Sequence, residues 1–187
     1  MRTNFGFGGI LLDHRVTCCF SGYRPEKIPA WTAAGPNVPS MLQTKLEKAI
    51  VRAFQDGYRL FVTGMSRGFD LWAAQAVLQQ REHLPIRLLC AIPFDGQANS
   101  WESSWKTCYQ KVLLQADFVH SLAQFYTPDC FYARDHFMVN GSSRLICWFD
   151  GLPGGTAFTH RYAKKRGLEI VNLADRQLCL FSEVSSL

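Results

Sequence analysis

Short, continuous apolar runs recur along the chain, separated by segments whose apolar residues fall at helical spacing. The first run, Val16-Thr17-Cys18-Cys19-Phe20, stops at Ser21-Gly22. Similar runs cover 58–63, 86–92, 117–122, 145–149 and 168–173. Runs of this length, closed by Gly, Pro or Asp, predict strands, and their lack of polar alternation predicts strands buried on both faces. The intervening segments predict helices. One spans 40–55, with Leu42, Leu46, Ala49, Ile50 and Ala53 on one face and Asp56-Gly57 as its stop. Others span 70–80, 101–115, 130–142 and 156–166, the last closed by Gly167.

Strand and helix patterns alternate throughout. This predicts the α/β class: a single Rossmann-like three-layer domain with a mainly parallel sheet. Residues 1–15 read as a short, frayed N-terminal extension and 16–187 as the domain, a length that one core can serve. Residues 24–39 hold Pro25, Pro29, Pro36 and Pro39 and predict a long loop of the kind used as a lid or binding loop.

Composition narrows the function. Hydrophobic residues make up 48% and charged residues 19%, which suits a packed core and excludes a disordered chain. The 14 Phe and 5 Trp exceed what a thin core needs, so a self-associating surface, a homodimer, is open. A net charge of +5 favours an anionic ligand but argues against nucleic acid as the main partner. The run His160-Arg161-Tyr162-Ala163-Lys164-Lys165-Arg166 reads as the solvated last turns of a helix. The seven Cys form no C-x-x-C pair and the histidines are scattered, so no metal site is expected, and the thiols suit a reducing cytoplasm. No apolar stretch approaches the roughly 18 residues of a membrane span, and the first residues make a poor signal peptide.

In a parallel sheet, ligands bind beyond the carboxyl ends of the strands. Three strand-exit turns are built for that place. In Ser21-Gly22-Tyr23-Arg24, Gly22 permits close backbone approach, Arg24 suits a phosphate and Tyr23 suits a base. In Gly64-Met65-Ser66-Arg67-Gly68-Phe69-Asp70, the glycines leave amides free at a helix start, and Asp70 is either a cap or a ribose partner. This turn is no Walker motif, since the Lys-Ser/Thr pair is missing. In Asp150-Gly151-Leu152-Pro153-Gly154-Gly155-Thr156, Gly154, Gly155 and Thr156 form the strongest phosphate-cradle candidate.

These residues, together with Ala91-Ile92-Pro93-Phe94 and the string Gly68-Phe69-Asp70-Leu71-Trp72-Ala73-Ala74, resemble the YpsA-like branch of the SLOG superfamily over about 16–173. The superfamily is Rossmann-like and includes relatives of the DNA-processing protein DprA and the LOG phosphoribohydrolases. The resemblance implies a nucleotide or nucleotide-derived ligand, such as an adenine nucleotide or an ADP-ribose-type molecule. The LOG motif Pro-Gly-Gly-x-Gly-Thr-x-x-Glu survives here as Pro153-Gly154-Gly155-Thr156, and its catalytic Glu falls on Thr159. Gln75 also stands where many such sequences have Glu.

The leading expectation is therefore a bacterial, cytoplasmic nucleotide-binding or sensing protein without robust catalysis and without a further cofactor. Its ligand-binding residues would be Ser21, Gly22, Tyr23, Arg24, Gly64, Ser66, Arg67, Gly68, Asp70, Asp150, Gly154, Gly155 and Thr156. One alternative is a nucleotide hydrolase cleaving an N-glycosidic or phosphoester bond, drawing on Asp70, Asp95, Glu102 and Asp150. Another is DprA-like single-stranded DNA binding, with Arg24, Arg67, Arg161 and Lys164 supplying charge and Tyr23 or Trp72 stacking.

Overall fold

The computed structural model describes residues 4–7, 10–28, 31 and 33–174. Strands β1 (Asn4–Phe7) and β2 (Ile10–Asp13) form an antiparallel hairpin. The main sheet comprises β3 (Thr17–Ser21), β4 (Leu60–Thr63), β5 (Arg87–Ile92), β6 (Phe118–Ser121), β7 (Arg144–Cys147) and β8 (Glu169–Asn172). Between them run α1 (Ser40–Gln55), α2 (Phe69–Gln80), α3 (Ser103–Gln115), α4 (Cys130–Asn140) and α5 (Gly155–Lys165). The strand order is β6-β5-β4-β3-β7-β8, and every pairing is parallel.

Side chains alternate across each strand, so the continuous apolar runs feed two cores. Cys18, Phe20, Phe61, Leu88 and Cys90 face α1, α2 and α3. Cys19, Val62, Leu89, Ala91, Leu145 and Cys147 face α4 and α5. This is the Rossmann-like α/β architecture. No helix among the described residues is long and apolar enough to cross a membrane.

Three regions differ from their sequence expectations. The N-terminal extension was expected to fray, yet Asn4–Phe7 and Ile10–Asp13 pair as the β1–β2 hairpin, and Leu12 is buried against Gly141, where an added Cβ would lie 2.4 Å from Leu12 Cδ1. The proline-rich loop is packed rather than free. Trp31 sits edge-on between Trp72 and Trp148, Trp72 Nε1 donates to Gly35 O, and Gln75 Nε2 donates to Pro36 O. Gln75, noted for replacing a possible acid, serves as this tether. The expected helix at 101–115 starts two residues late, at Ser103, after a turn closed by Trp101 N to Ala98 O.

Candidate functional site

The chain leaves β3 towards β4 on one side, while β7 pairs on the other, so the connections diverge above β3 and β7 and open a crevice there. A cavity of about 410 Å³ occupies it, and all three glycine-bearing turns reach its wall, through Ser21, Gly22, Tyr23 and Arg24, through Ser66 and Asp70, and through Gly155 and Thr156. A groove of about 520 Å³ lies elsewhere, between α2 and α3. No strand-exit turn lines it, so the cleft above β3 and β7 is the better candidate.

The first and third turns are clasped together. Tyr23 Oη donates to Asp150 Oδ1 at 2.8 Å and accepts from Leu152 N at 3.0 Å. Thr156 Oγ1 donates to Gly22 O at 2.9 Å, and Lys27 Nζ donates to Pro153 O. Burial, seconded by the Asp150 carboxylate, pushes the Tyr23 phenol up to about 12, so it stays a donor at neutral pH. Tyr23 is 2% exposed, so its ring lines the cavity as part of this clasp rather than as a free stacking platform. Asp150 holds Tyr23 and lies outside the cavity wall.

The glycines of the first two turns make room for neighbours. A Cβ on Gly22 would come 2.3 Å from the Phe69 ring, and one on Gly68, at φ +85°, would meet Tyr23 O at 2.8 Å. A Cβ on Gly64 would fall 1.9 Å from Arg134 Nη1. Arg67 turns away and pairs with Glu26, which joins the first two turns from outside. Met65, with φ 58° and fully buried, holds a left-handed conformation rare for a side-chain-bearing residue, and its carbonyl accepts from Gln97 Nε2 at 3.0 Å.

The third turn is different. Gly154, at φ +137°, ends under Lys27, and nothing lies within 4 Å of a Cβ built on Gly155. The backbone N–H groups of Gly155, Thr156 and Ala157 open α5 and have no acceptor among the described residues. They present the positive end of the helix dipole to the cleft.

The polar floor of the cavity comes from α4. Arg134 and Asp135 are buried, at 7% and 5% exposure. Arg134 Nη1 donates to Gly64 O and Ser66 Oγ and lies 3.5 Å from Asp70 Oδ2. Its Nε is 2.8 Å from Asp135 Oδ1, a charge contact rather than a hydrogen bond because the N–H does not point along it. Asp135 Oδ2 accepts from Thr159 Oγ1 at 2.9 Å, so a carboxylate from α4 is tied to α5. Asp70 is not a helix cap. It is the second residue of α2, 5% exposed, and its Oδ2 accepts from Ser66 N at 3.3 Å. Burial pushes its carboxyl up to about 6, against the opposing pull of Arg134.

Sequence reasoning missed Lys27, Phe131, Tyr132, Arg134 and Asp135 as walls of this cavity. The available signal was Cys130, Arg134, Phe137 and Met138, where a charged residue interrupts an otherwise apolar helical stripe. The other proposed carboxylates lie elsewhere: Asp95 accepts from Ser121 Oγ at 2.6 Å, and Glu102 precedes α3.

A parallel sheet covered by helices on both faces, with a polar cleft at its switch point, defines the Rossmann-like class of α/β folds. Within that class the YpsA model, described as the YspA SLOG family, matches residues 18–171, and the chain belongs to this family. A UPF0398 protein of Bacillus cereus (strain G9842) is 28% identical over 171 residues, covering 89% of this chain and 91% of its own. Among solved structures, DNA processing protein A from Helicobacter pylori, studied for its single-stranded DNA binding mode, superposes with a TM-score of 0.56 at 15% identity, over 84% of this chain and 65% of that one. DprA from Streptococcus pneumoniae gives 0.53 at 15%, over 82% of this chain and 48% of that one. The chain thus spans less than two thirds of either DprA chain, and at this identity the likeness concerns the fold.

Proposed function

We propose that the cleft binds a phosphorylated, nucleotide-type small molecule, and that the protein senses this ligand rather than turning it over. The observation that carries this reading is the open first turn of α5 in the wall of a cavity shared by all three strand-exit turns. Three donor amides and a helix dipole suit a phosphoryl group. Arg24 and Lys27 add positive charge at the rim, and Phe131 and Tyr132 offer an apolar wall to a base. The carboxylates of the floor are already engaged, Asp135 by Thr159 and Arg134, Asp70 by Ser66 and Arg134, which favours holding a ligand over acid–base chemistry. Six described cysteines are free, in keeping with a reducing cytoplasm as the place of work.

The test is native mass spectrometry of freshly purified protein, followed by thermal denaturation against mononucleotides, dinucleotides and ADP-ribose-type molecules. A retained or stabilising phosphorylated ligand is expected. Gly155→Ala should weaken it about tenfold, close to the loss of one hydrogen bond to a charged group. A panel in which nothing binds would end the proposal. A single-stranded oligonucleotide belongs in the same panel, since the Helicobacter pylori neighbour binds single-stranded DNA.

One observation favours a second reading, hydrolysis of an N-glycosidic or phosphoester bond. Asp70 and Asp135 share one cavity while their surroundings differ, and Asp70 titrates at about 6. Product release from a bound nucleotide that disappears in Asp70→Asn would promote this reading over sensing.

A further inference from the structure

Large apolar side chains are exposed unevenly. Of eight exposed among the described residues, Leu114, Phe118, Val119, Phe125 and Tyr126 belong to β6 or to the segments entering and leaving it. β6 is also a sheet edge, so it offers unpaired backbone N–H and C=O groups. Edges are commonly blunted by Lys or Pro, and Phe-Val-His-Ser carries neither. The opposite edge, β8, has Glu169 ion-paired to Arg144 and none of the exposed large apolar residues.

The β6 edge is apolar on both faces of the sheet. Phe118 pairs with Leu89, on the face covered by α4 and α5, whereas Val119 pairs with Cys90, on the face covered by α1, α2 and α3. A helix or loop docked on one face would leave the other bare. A strand that continues the sheet covers both and satisfies the backbone groups as well.

Charge identifies that strand as a second β6. Arg87 lies at the N-terminal end of the edge, with its guanidinium 5.5 Å from the Phe118 ring centroid. Asp95 lies at the C-terminal end, bound to Ser121 Oγ at 2.6 Å. Both are exposed. A dyad normal to the sheet reverses the second strand and brings the Arg87 end of each copy to the Asp95 end of the other. Passing between the two strands at the level of Val119, this dyad sets Val119 opposite Val119 of the second copy and Phe118 opposite its His120. The helix-covered faces then stay on common sides.

We propose that this protein forms a symmetric dimer by antiparallel pairing of β6, continuing one six-stranded sheet into that of the second copy. Sedimentation velocity on the full chain tests it. The wild type should be dimeric at micromolar concentration. Val119→Lys, at a site already half-exposed, should be monomeric with an unchanged circular dichroism spectrum. Asp95→Lys should weaken association at least several-fold, and adding Arg87→Glu should restore it. Backbone hydrogen exchange at 118–121 should slow as the wild type is concentrated. A wild type that stays monomeric, whatever else it binds, overturns the proposal. So does a dimer that survives Val119→Lys, or an exchange rate at β6 that ignores concentration.

Discussion

Asp70 is a buried carboxyl whose chemistry departs from its solution behaviour. Its carboxyl titrates near 3.8 when free and at about 6 in the fold, so the folded state holds the proton more tightly. The stability this provides is complete below the free value and is lost as pH rises through the folded one. Two pKa units correspond to about 3 kcal/mol. Asp70→Asn cannot titrate, so its stability relative to wild type should climb by up to that amount between about pH 4 and about pH 6 and then level off. Urea unfolding of both proteins across that range checks it, and parallel stability curves would refute the assignment. The glycines permit a second contrast. Gly64→Ala drives a methyl group into the Arg134 guanidinium and should cost about 2–4 kcal/mol, the range for overpacking joined to a disturbed buried ion pair. Gly155→Ala meets nothing within 4 Å and should leave stability within about 0.5 kcal/mol of wild type. Equal losses in the two variants would mean that the third turn is as crowded as the second.

At the scale of elements, the cleft depends on how the β3 and β7 exits are held together. The Tyr23 hydroxyl is the centre of that clasp, donating to Asp150 and accepting from Leu152 N. Tyr23→Phe keeps the ring under Lys27 and against Phe149 but leaves Leu152 N without the hydroxyl. We expect a loss of about 1–2 kcal/mol and faster hydrogen exchange confined to the turn after β7. Exchange that rises evenly across the sheet would instead mean that Tyr23 serves the core. The same elements show what a sequence can disclose. Strands such as Leu60–Thr63 and Arg87–Ile92 were legible because a doubly covered strand has to be apolar throughout, and the three turns were legible because Gly punctuates them. The work done by those glycines was not. Gly22, Gly64 and Gly68 accommodate Phe69, Arg134 and Tyr23, partners brought close only by the fold. Arg134 and Asp135 escaped notice because adjacent charges on a helix usually face water. Here α4 crosses back from the sheet edge after β6 to the strand beside β3 and carries them under the cleft.

For the molecule as a whole, the sheet has a cleft end, where the ligand is proposed to sit, and a bracing end. Arg144 opens β7 at the end away from the cleft. Its Nη2 reaches Asp56 Oδ2 at 2.8 Å and Glu169 Oε2 at 2.7 Å, and its guanidinium lies 4.5 Å from the Tyr58 ring centroid. One side chain thereby ties the end of α1, the approach to β4, and strands β7 and β8. With its own side chain 6% exposed and Glu169 55% exposed, the bracket is part buried and part hydrated, so each contact is worth less than in a sealed pair. Arg144→Met keeps the stem and releases two carboxylates that can reach water. It should cost about 2–3 kcal/mol of global stability. The cleft begins past Cys147, three residues further along β7, about 10 Å away at the rise of a strand. Sites separated by that distance and sharing no partners contribute independently. Ligand affinity should therefore be unchanged in Arg144→Met when measured well below its unfolding temperature. Asp135→Asn should show the reverse emphasis, since it removes a charge partner of Arg134 at the cleft floor. The double variant should show the sum of the two stability losses and the affinity of Asp135→Asn alone. Calorimetry on the four proteins decides the matter. If Arg144→Met weakens the ligand as much as Asp135→Asn does, the two ends of the sheet are coupled and the division between bracing and binding fails.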